Sequence, residues 1–254
     1  MKKELKDLVL NKIGEIYPNF KKDAVVLFGS RALGLEVESS DIDMVIFTDN
    51  PLYYQEISIK KEYRKRAEDG GFEIHLENGL LLEVKIHSYT FGKLDINWVN
   101  DLLNSEVIIP NKKFLSYKNK IHKQFLKDYD KILMKSYIHF YNELKQTEGM
   151  SKRKDEFSKI NFFIKKGIVL QAFLRLILVM QKKPYPCDKW LYHFVVKTPF
   201  YHKIKDFVPK LEKLESYDDV DSWKKEVRNF IDPSMPKKPY VGNWWKYLKQ
   251  FKEL

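Results

Sequence analysis

Two stretches decide the reading: Leu27-Phe28-Gly29-Ser30-Arg31-Ala32 and, after a short spacer, Ser40-Asp41-Ile42-Asp43-Met44-Val45. Ala24 to Phe28 is a short apolar run, read as a buried strand ending at the Gly29-Ser30 turn. Glycine permits that turn and lets an anion approach the backbone closely, and Ser30 adds a hydroxyl donor. A helix starting just past the turn would add free N–H groups and its dipole. Asp43 to Thr48 reads as a second strand, closed by Asp49-Asn50-Pro51. Asp41 and Asp43 stand at i and i+2 at its start, which puts both side chains on one side.

Two carboxylates that close repel each other unless a cation lies between them, and hard oxygen donors around phosphates suit Mg2+. Two-ion phosphoryl transfer needs such a pair and a third carboxylate from another strand.

Outward from this centre, the first part of the chain alternates short helical and strand-like segments. Leu5, Leu8, Val9, Ile13 and Ile16 give Lys3 to Tyr17 a helical spacing, ended by Pro18-Asn19. Leu52 to Asp69 is expected to be helical. Phe72–Leu76 and Leu80–His87 are strand-like runs around Asn78-Gly79, a dipeptide that favours a hairpin because both residues tolerate positive φ. A two-residue turn there sets Glu83 opposite Ile74 and leaves its face open, and a bulge would change the register. From residue 111 the pattern turns helical. Apolar residues from Phe114 to Leu144 mark one long amphipathic helix, and Lys154 to Gln181 a second, apolar almost all round in its latter half. Pro184, Pro186 and Pro199 bracket a third near Asp188–Lys197. The tail carries Trp223, Trp244 and Trp245 among lysines and reads as short helices.

Gly29-Ser30, ten intervening residues and Asp41-Ile42-Asp43 between apolar neighbours resemble the signature of the DNA polymerase β-like nucleotidyltransferase superfamily. Gly29-Ser30-Arg31-Ala32-x-Gly34 with Ser40-Asp41-Ile42-Asp43 looks most like the small bacterial antibiotic-type and minimal members. The resemblance implies an α+β fold. A polymerase β-like domain with a mixed, mostly antiparallel sheet would span residues 1–110, and a helical domain residues 111–254, with the acceptor bound between them. It implies transfer of a nucleoside monophosphate, AMP from ATP or another NTP, to an acceptor hydroxyl with loss of pyrophosphate. Asp41 and Asp43 would hold Mg2+, in a two-ion site. Glu83, a charge within Leu81-Leu82-Glu83-Val84-Lys85-Ile86, is the candidate third carboxylate, as metal ligand or as proton acceptor, because a charge inside an apolar strand needs a partner. Glu73, Glu77 and Asp95 are the weaker alternatives. Gly29, Ser30 and Arg31 would position the triphosphate, the arginine through its fork. Lys183-Pro184-Tyr185-Pro186-Cys187-Asp188-Lys189-Trp190-Leu191 looks like a segment of the helical domain of several bacterial members, and Lys189 would join in holding the triphosphate. Arg175, inside the most apolar helix, needs an acidic or phosphate partner, more commonly an internal one.

The bulk numbers agree with such an enzyme. The chain has 254 residues, 44% of them hydrophobic, enough for a core and too many for disorder. Cys187 is the only cysteine, which excludes a disulfide within the chain, argues against a cysteine-based zinc site and fits a reducing, cytoplasmic setting. The Lys-rich start leads into an amphipathic segment and not the apolar core of a signal peptide. Ile168 to Met180 is interrupted by Gln171 and Arg175 and falls short of the ~20 residues that span a bilayer. The net charge of +11 fits an anionic partner, although the lysines are scattered among acids and serve mostly as solvated surface. The six histidines lack a paired metal spacing, and His87 alone stands near the expected site. The leading acceptor is a hydroxylated small molecule. RNA or a protein side chain is the alternative, with Trp244, Trp245, Tyr247 and the tail lysines as the contacts for RNA. A non-catalytic nucleotide-binding or antitoxin-like partner protein is a third reading, against which the intact Asp41/Asp43 pair argues.

Overall fold

The computed structural model describes residues 3–18, 20–49, 64–65, 71–90, 92, 94–153 and 155–235. The chain divides into two compact units, Met1–Gln124 and Phe125–Leu254.

The first unit is built on a sheet. Helix α1 (Lys3–Ile16) is followed by β1 (Ala24–Leu27), a short helix α2 (Gly29–Leu33) and β2 (Ile42–Thr48). Then come β3 (Arg64–Lys65), β4 (Phe72–His75), β5 (Leu81–Ser88), α3 (Ile96–Asn104), β6 (Glu106–Ile109) and α4 (Lys112–Lys127). The strand order is β3-β4-β5-β2-β1-β6. Among the described residues only the β2–β5 pairing is parallel, so the sheet is mixed and mostly antiparallel, as expected. One face carries Val25, Leu27, Ile42, Met44, Ile46, Leu82, Val84 and Ile86 against Val9, Ile13 and Ile16 of α1. The even-numbered residues of β2 and β5 thus fill the core, and the odd-numbered ones line the other face. All four residues of β1 are buried, as befits a central strand covered on both sides.

Several expectations change here. The hairpin turn is not two residues long: the Leu76 and Leu80 backbones face each other, with Leu76 N donating to Leu80 O at 2.8 Å, so Glu77-Asn78-Gly79 forms the loop and Gly79 takes φ 82°. That single step of register sets Glu83 opposite Glu73 and not Ile74. Of the helix expected over Leu52–Asp69, Arg64–Lys65 instead pairs as a strand with β4, and its other positions lie outside the described residues. Asp41 precedes β2 by one residue, because the strand starts at Ile42. Helix α3 and strand β6 carry no counterpart in the sequence reading, though Asp95 caps α3 by accepting from Asn97 N at 2.9 Å.

The second unit is helical. The single helix expected from Phe114 to Leu144 is two, because Asp128, at ψ 6°, separates α4 from α5 (Tyr129–Ser151). Aspartate competes for backbone bonds inside helices and favours such breaks. The unit boundary itself falls inside α4, past residue 110. Helix α6 (Glu156–Met180), capped by Asp155, runs antiparallel to α5, with Lys165 Nζ bonded to Glu143 at 2.7 Å and the Phe140 and Phe173 rings 5.7 Å apart. A 3-10 turn over Asp188–Trp190 precedes α7 (Leu191–Val196), so the expected third helix starts as a tighter turn. Helices α8 (Tyr201–Ile204), α9 (Phe207–Glu212) and α10 (Tyr217–Ile231) follow, with a Ser216/Asp219 capping box starting α10. Trp223 lies buried in α10 and donates to Phe207 O at 3.0 Å, while Trp244 and Trp245 lie outside the described residues. Among the described residues no helix is long and apolar enough to cross a membrane.

Candidate active site

The site grows from one row of the sheet. Leu27 pairs with Met44, and one step further Phe28 N donates to Asp43 O at 2.8 Å. Asp43 pairs with Glu83 across the parallel β2–β5 ladder, and Glu83 pairs with Glu73 across β4–β5. Phe28, Asp43, Glu83 and Glu73 therefore stand side by side on the face away from α1. Like charges on adjacent strands disfavour the sheet unless partners or a cation offset them.

Gly29 has a specific role. It takes φ 66°, and a Cβ placed on it would stand 2.9 Å from Asp43 Cγ and closer still to Oδ2. The Asp43 carboxylate occupies the space a side chain would need, so glycine is required both for the backbone angle and for this approach. The Gly-Ser turn and the second aspartate of the pair are thus in contact. Ser30 follows at half-exposed α2, a helix of five residues.

Arg31 spends its fork on the backbone. Its Nε donates to Ser40 O at 3.1 Å and to Asp41 O at 3.2 Å, and Nη2 donates to Ser40 O at 2.6 Å. It ties α2 to the segment that enters β2, with Asp41 exposed at the junction. Of the weaker acidic alternatives, Asp95 caps α3, Glu77 sits in the exposed hairpin loop, and Glu73 belongs to the row.

Toward the far end, the same face is roofed by rings. Trp98 of α3 stacks on Phe28 at 5.3 Å and meets His87 at 4.9 Å and Phe47 at 6.1 Å. Phe114 and Tyr117 of α4 close over Phe47 at 4.8 and 5.8 Å. Beside them a cavity of about 110 Å³ is lined by His87, Ser88, Asp95, Trp98 and Tyr117.

Two side chains of α3 escaped the sequence reading. Asn100 is buried at 1% exposure, and its amide donates to Asp101 Oδ1 at 3.4 Å. Burial pushes the Asp101 carboxyl up from its ordinary value, Asp95 and Asp43 push it further, and the Asn100 amide and Lys85 pull it back. The signal that could have found this helix was Asp95 as N-cap followed by Trp98, Val99 and Leu102 at helical spacing.

Lys189 belongs to the second unit, where its Nζ lies 5.2 Å from the centroid of the Trp190 ring. In the same unit Arg175 pairs with Asp188 and lies over Tyr185, so its partner is an internal acid. Among the described residues no three Asp, Glu, His or Cys side chains gather closely enough to hold a metal ion unaided. The in-register pair Asp43/Glu83 offers hard oxygen donors from two strands, and Mg2+ is commonly held by one or two carboxylates with phosphate oxygens and water completing its shell. The donor chemistry fits.

The fold is that of an α+β protein with a row of carboxylates on one face of its sheet. The model of the nucleotidyltransferase domain family matches residues 6–208, most of the chain, and the chain belongs to that family. Among solved structures it is similar to a nucleotidyltransferase-like protein from Exiguobacterium sibiricum 255-15, at 11% identity and a TM-score of 0.45, covering 96% of this chain and 78% of that one. It is also similar to a CCA-adding enzyme in complex with CTP, at 14% identity, a TM-score of 0.29 and coverage of 98% and 70%. A further similarity is to the Thermotoga maritima CCA-adding enzyme complexed with tRNA, at 14% identity, a TM-score of 0.24 and coverage of 96% and 72%. Comparison with curated proteins gives no match.

Proposed function

We propose that the chain transfers a nucleoside monophosphate, AMP from ATP first, to a hydroxyl of a small-molecule acceptor and releases pyrophosphate. The observation that carries this is the contact of the Asp43 carboxylate with the Gly29-Ser30 turn, beside Glu83 in the same row. A phosphate chain lying over Gly29 and Ser30 would meet the carboxylates at once.

Asp43 and Glu83, with Asp41 at the strand entry, would hold Mg2+, in a two-ion site when both positions fill. Bound there, the metal supplies charge neutralisation for the phosphates and the departing pyrophosphate. The rest falls to the chain. Gly29 and the Ser30 hydroxyl position the triphosphate. Arg31 fixes the loop that carries Asp41 through Nε and Nη2 and would offer its remaining N–H groups to phosphate. Lys189 is the contribution proposed from the second unit. The acceptor oxygen attacks the α-phosphorus in line, the bond to the bridging oxygen of the β-phosphate breaks, and the acceptor proton leaves to a base. Positioning and charge supply most of the rate, as in phosphoryl transfer generally. The cytoplasm is the proposed location.

The test is pyrophosphate release from each NTP with Mg2+, against a panel of hydroxylated small molecules and bulk RNA. The expected result is release stimulated by a small-molecule acceptor and lost in the Asp41→Asn/Asp43→Asn double variant. Stimulation by RNA alone would replace the acceptor class. Release indifferent to the double variant would sink the site assignment.

A further inference from the structure

The nucleotidyl-transfer reading leaves one group unassigned: the base that takes the acceptor's proton. We propose that this base is Asp101 of α3, held over the carboxylate row by Asn100 and Trp98, and that Glu83 is left to the metal. The inference rests on that reading and adds a residue to it.

Placement comes first. Trp98 fixes α3 against three strands at once, through Phe28 at the end of β1, Phe47 of β2 and His87 of β5. Asp101 follows Trp98 by three residues and so lies on the same side of the helix, the side that faces the sheet. Asp43 of β2 and Lys85 of β5 act on it from the sheet, and Asp95 acts from the start of its own helix. Lys85 stands two residues beyond Glu83 and shares its face, as does His87. Arg31, on the neighbouring α2, is committed to the Ser40 and Asp41 carbonyls.

Orientation comes second. Asn100 is fully buried, an expensive place for an amide unless it does something. Its Oδ1 accepts from Asn104 Nδ2 at 3.1 Å, which leaves the amide nitrogen turned to Asp101. A carboxylate steered by a second, fixed group is the arrangement a proton acceptor needs.

Division of labour comes third. Glu83 lies in the strand row beside Asp43, where a shared cation would engage both. Asp101 reaches the same region from the helix above, outside the row. In-line attack requires the acceptor to enter opposite the pyrophosphate. With the phosphates over Gly29 and Ser30, the proposal sets the acceptor on the β5 side, within reach of Asp101. In the step, the acceptor O–H proton passes to the Asp101 carboxylate as the new oxygen–phosphorus bond forms and pyrophosphate departs with the electron pair of the broken bond. The proton then leaves to solvent. Burial of Asp101 suits it to this task, since a base whose pKa is raised toward the working pH holds the proton better.

The experiment compares wild type, Asp101→Asn, Asp101→Glu and Asp43→Asn in the full chain. Calorimetry measures binding of α,β-methylene-ATP with Mg2+, and single-turnover kinetics measure transfer to the best acceptor of the panel across pH. Asp101→Asn is expected to bind the analogue within about twofold of wild type, to lose roughly 10²–10⁴ in transfer rate, and to lose the acidic limb of the pH profile. Asp101→Glu should restore part of the rate and the limb. Full-rate transfer by Asp101→Asn, or a loss of analogue binding equal to that of Asp43→Asn, would overturn the assignment. Wild type that neither binds the analogue nor transfers would instead bring down the underlying reading.

Discussion

The two faces of the sheet in the first unit are made from alternate residues of the same strands, and they obey opposite rules. On the α1 side, Ile42, Met44, Leu82 and Val84 are buried at 1% exposure or less. On the other side, the odd-numbered Asp43, Glu83 and Lys85 are half-buried, while Val45 is buried at 3% and Phe47 lies under the rings of α3 and α4. One face minimises free energy. The other carries three carboxylates in one row, neighbours that repel one another along the sheet. The proposed site rests on this difference, because local rules are broken where a site needs them broken.

Breaking the comparison is simplest with one residue from each face. Leu82→Ala should destabilise the fold by about 2–5 kcal/mol, read as a fall in the denaturant midpoint. Asp43→Asn, one strand away, should leave that midpoint unchanged or raise it, since it removes a like-charge neighbour, while abolishing pyrophosphate release. If Asp43→Asn unfolds the protein as Leu82→Ala does, the row is structural and the contrast between the faces fails.

Gly29→Ala sharpens the contrast at the seam between backbone and site. The methyl group meets the Asp43 carboxylate, and φ 66° strains any L side chain. We expect a loss of about 1–3 kcal/mol in stability together with weaker binding of the Mg2+–nucleotide analogue. The combined variant Gly29→Ala/Asp43→Gly removes the clash but not the backbone strain, and should recover part of the stability but not binding. Recovery of both would mean the carboxylate is not a ligand.

How much of this was legible in the sequence follows the range of the interactions involved. The Gly29-Ser30 turn, the Asp41/Asp43 pair and the strand that holds them are local, and the α+β class followed from them. The face of Glu83 was not legible, because it hangs on whether the loop at Asn78-Gly79 has two residues or three, and the dipeptide alone favours the shorter form. The break at Asp128 hid inside an unbroken apolar periodicity, which reports a face and not a helix end. Asp101 was invisible for a different reason. Its spacing from Trp98 places it on a helix face, but only packing shows that the face lies against Phe28, beside Asp43 in the row. Arg31 was read by its fit to phosphate, and the folded chain shows two carbonyls competing for the same fork.

The smallest expected effect tests the covered end of the outer face. Tyr89 OH donates to Phe47 O at 3.0 Å, and Lys113 lies over its ring. Burial, then Asp23 and Asp49, push its phenol up to about 12. The folded chain therefore holds this proton more tightly than the unfolded chain, whose tyrosine releases it near 10. With more protons on the folded state, stability from this group is fully present below pH 10 and is lost as pH rises through about 12. Tyr89→Phe should remove that share of the alkaline slope, read by comparing denaturant midpoints at pH 9 and pH 11.5, and its absence should sharpen the ultraviolet titration of the remaining tyrosines at the alkaline end. Equal slopes in the two proteins would mean the aromatic roof is open to water at Tyr89. The outer face would then be solvated along its whole length, and the division between a wet carboxylate row and a dry end would disappear.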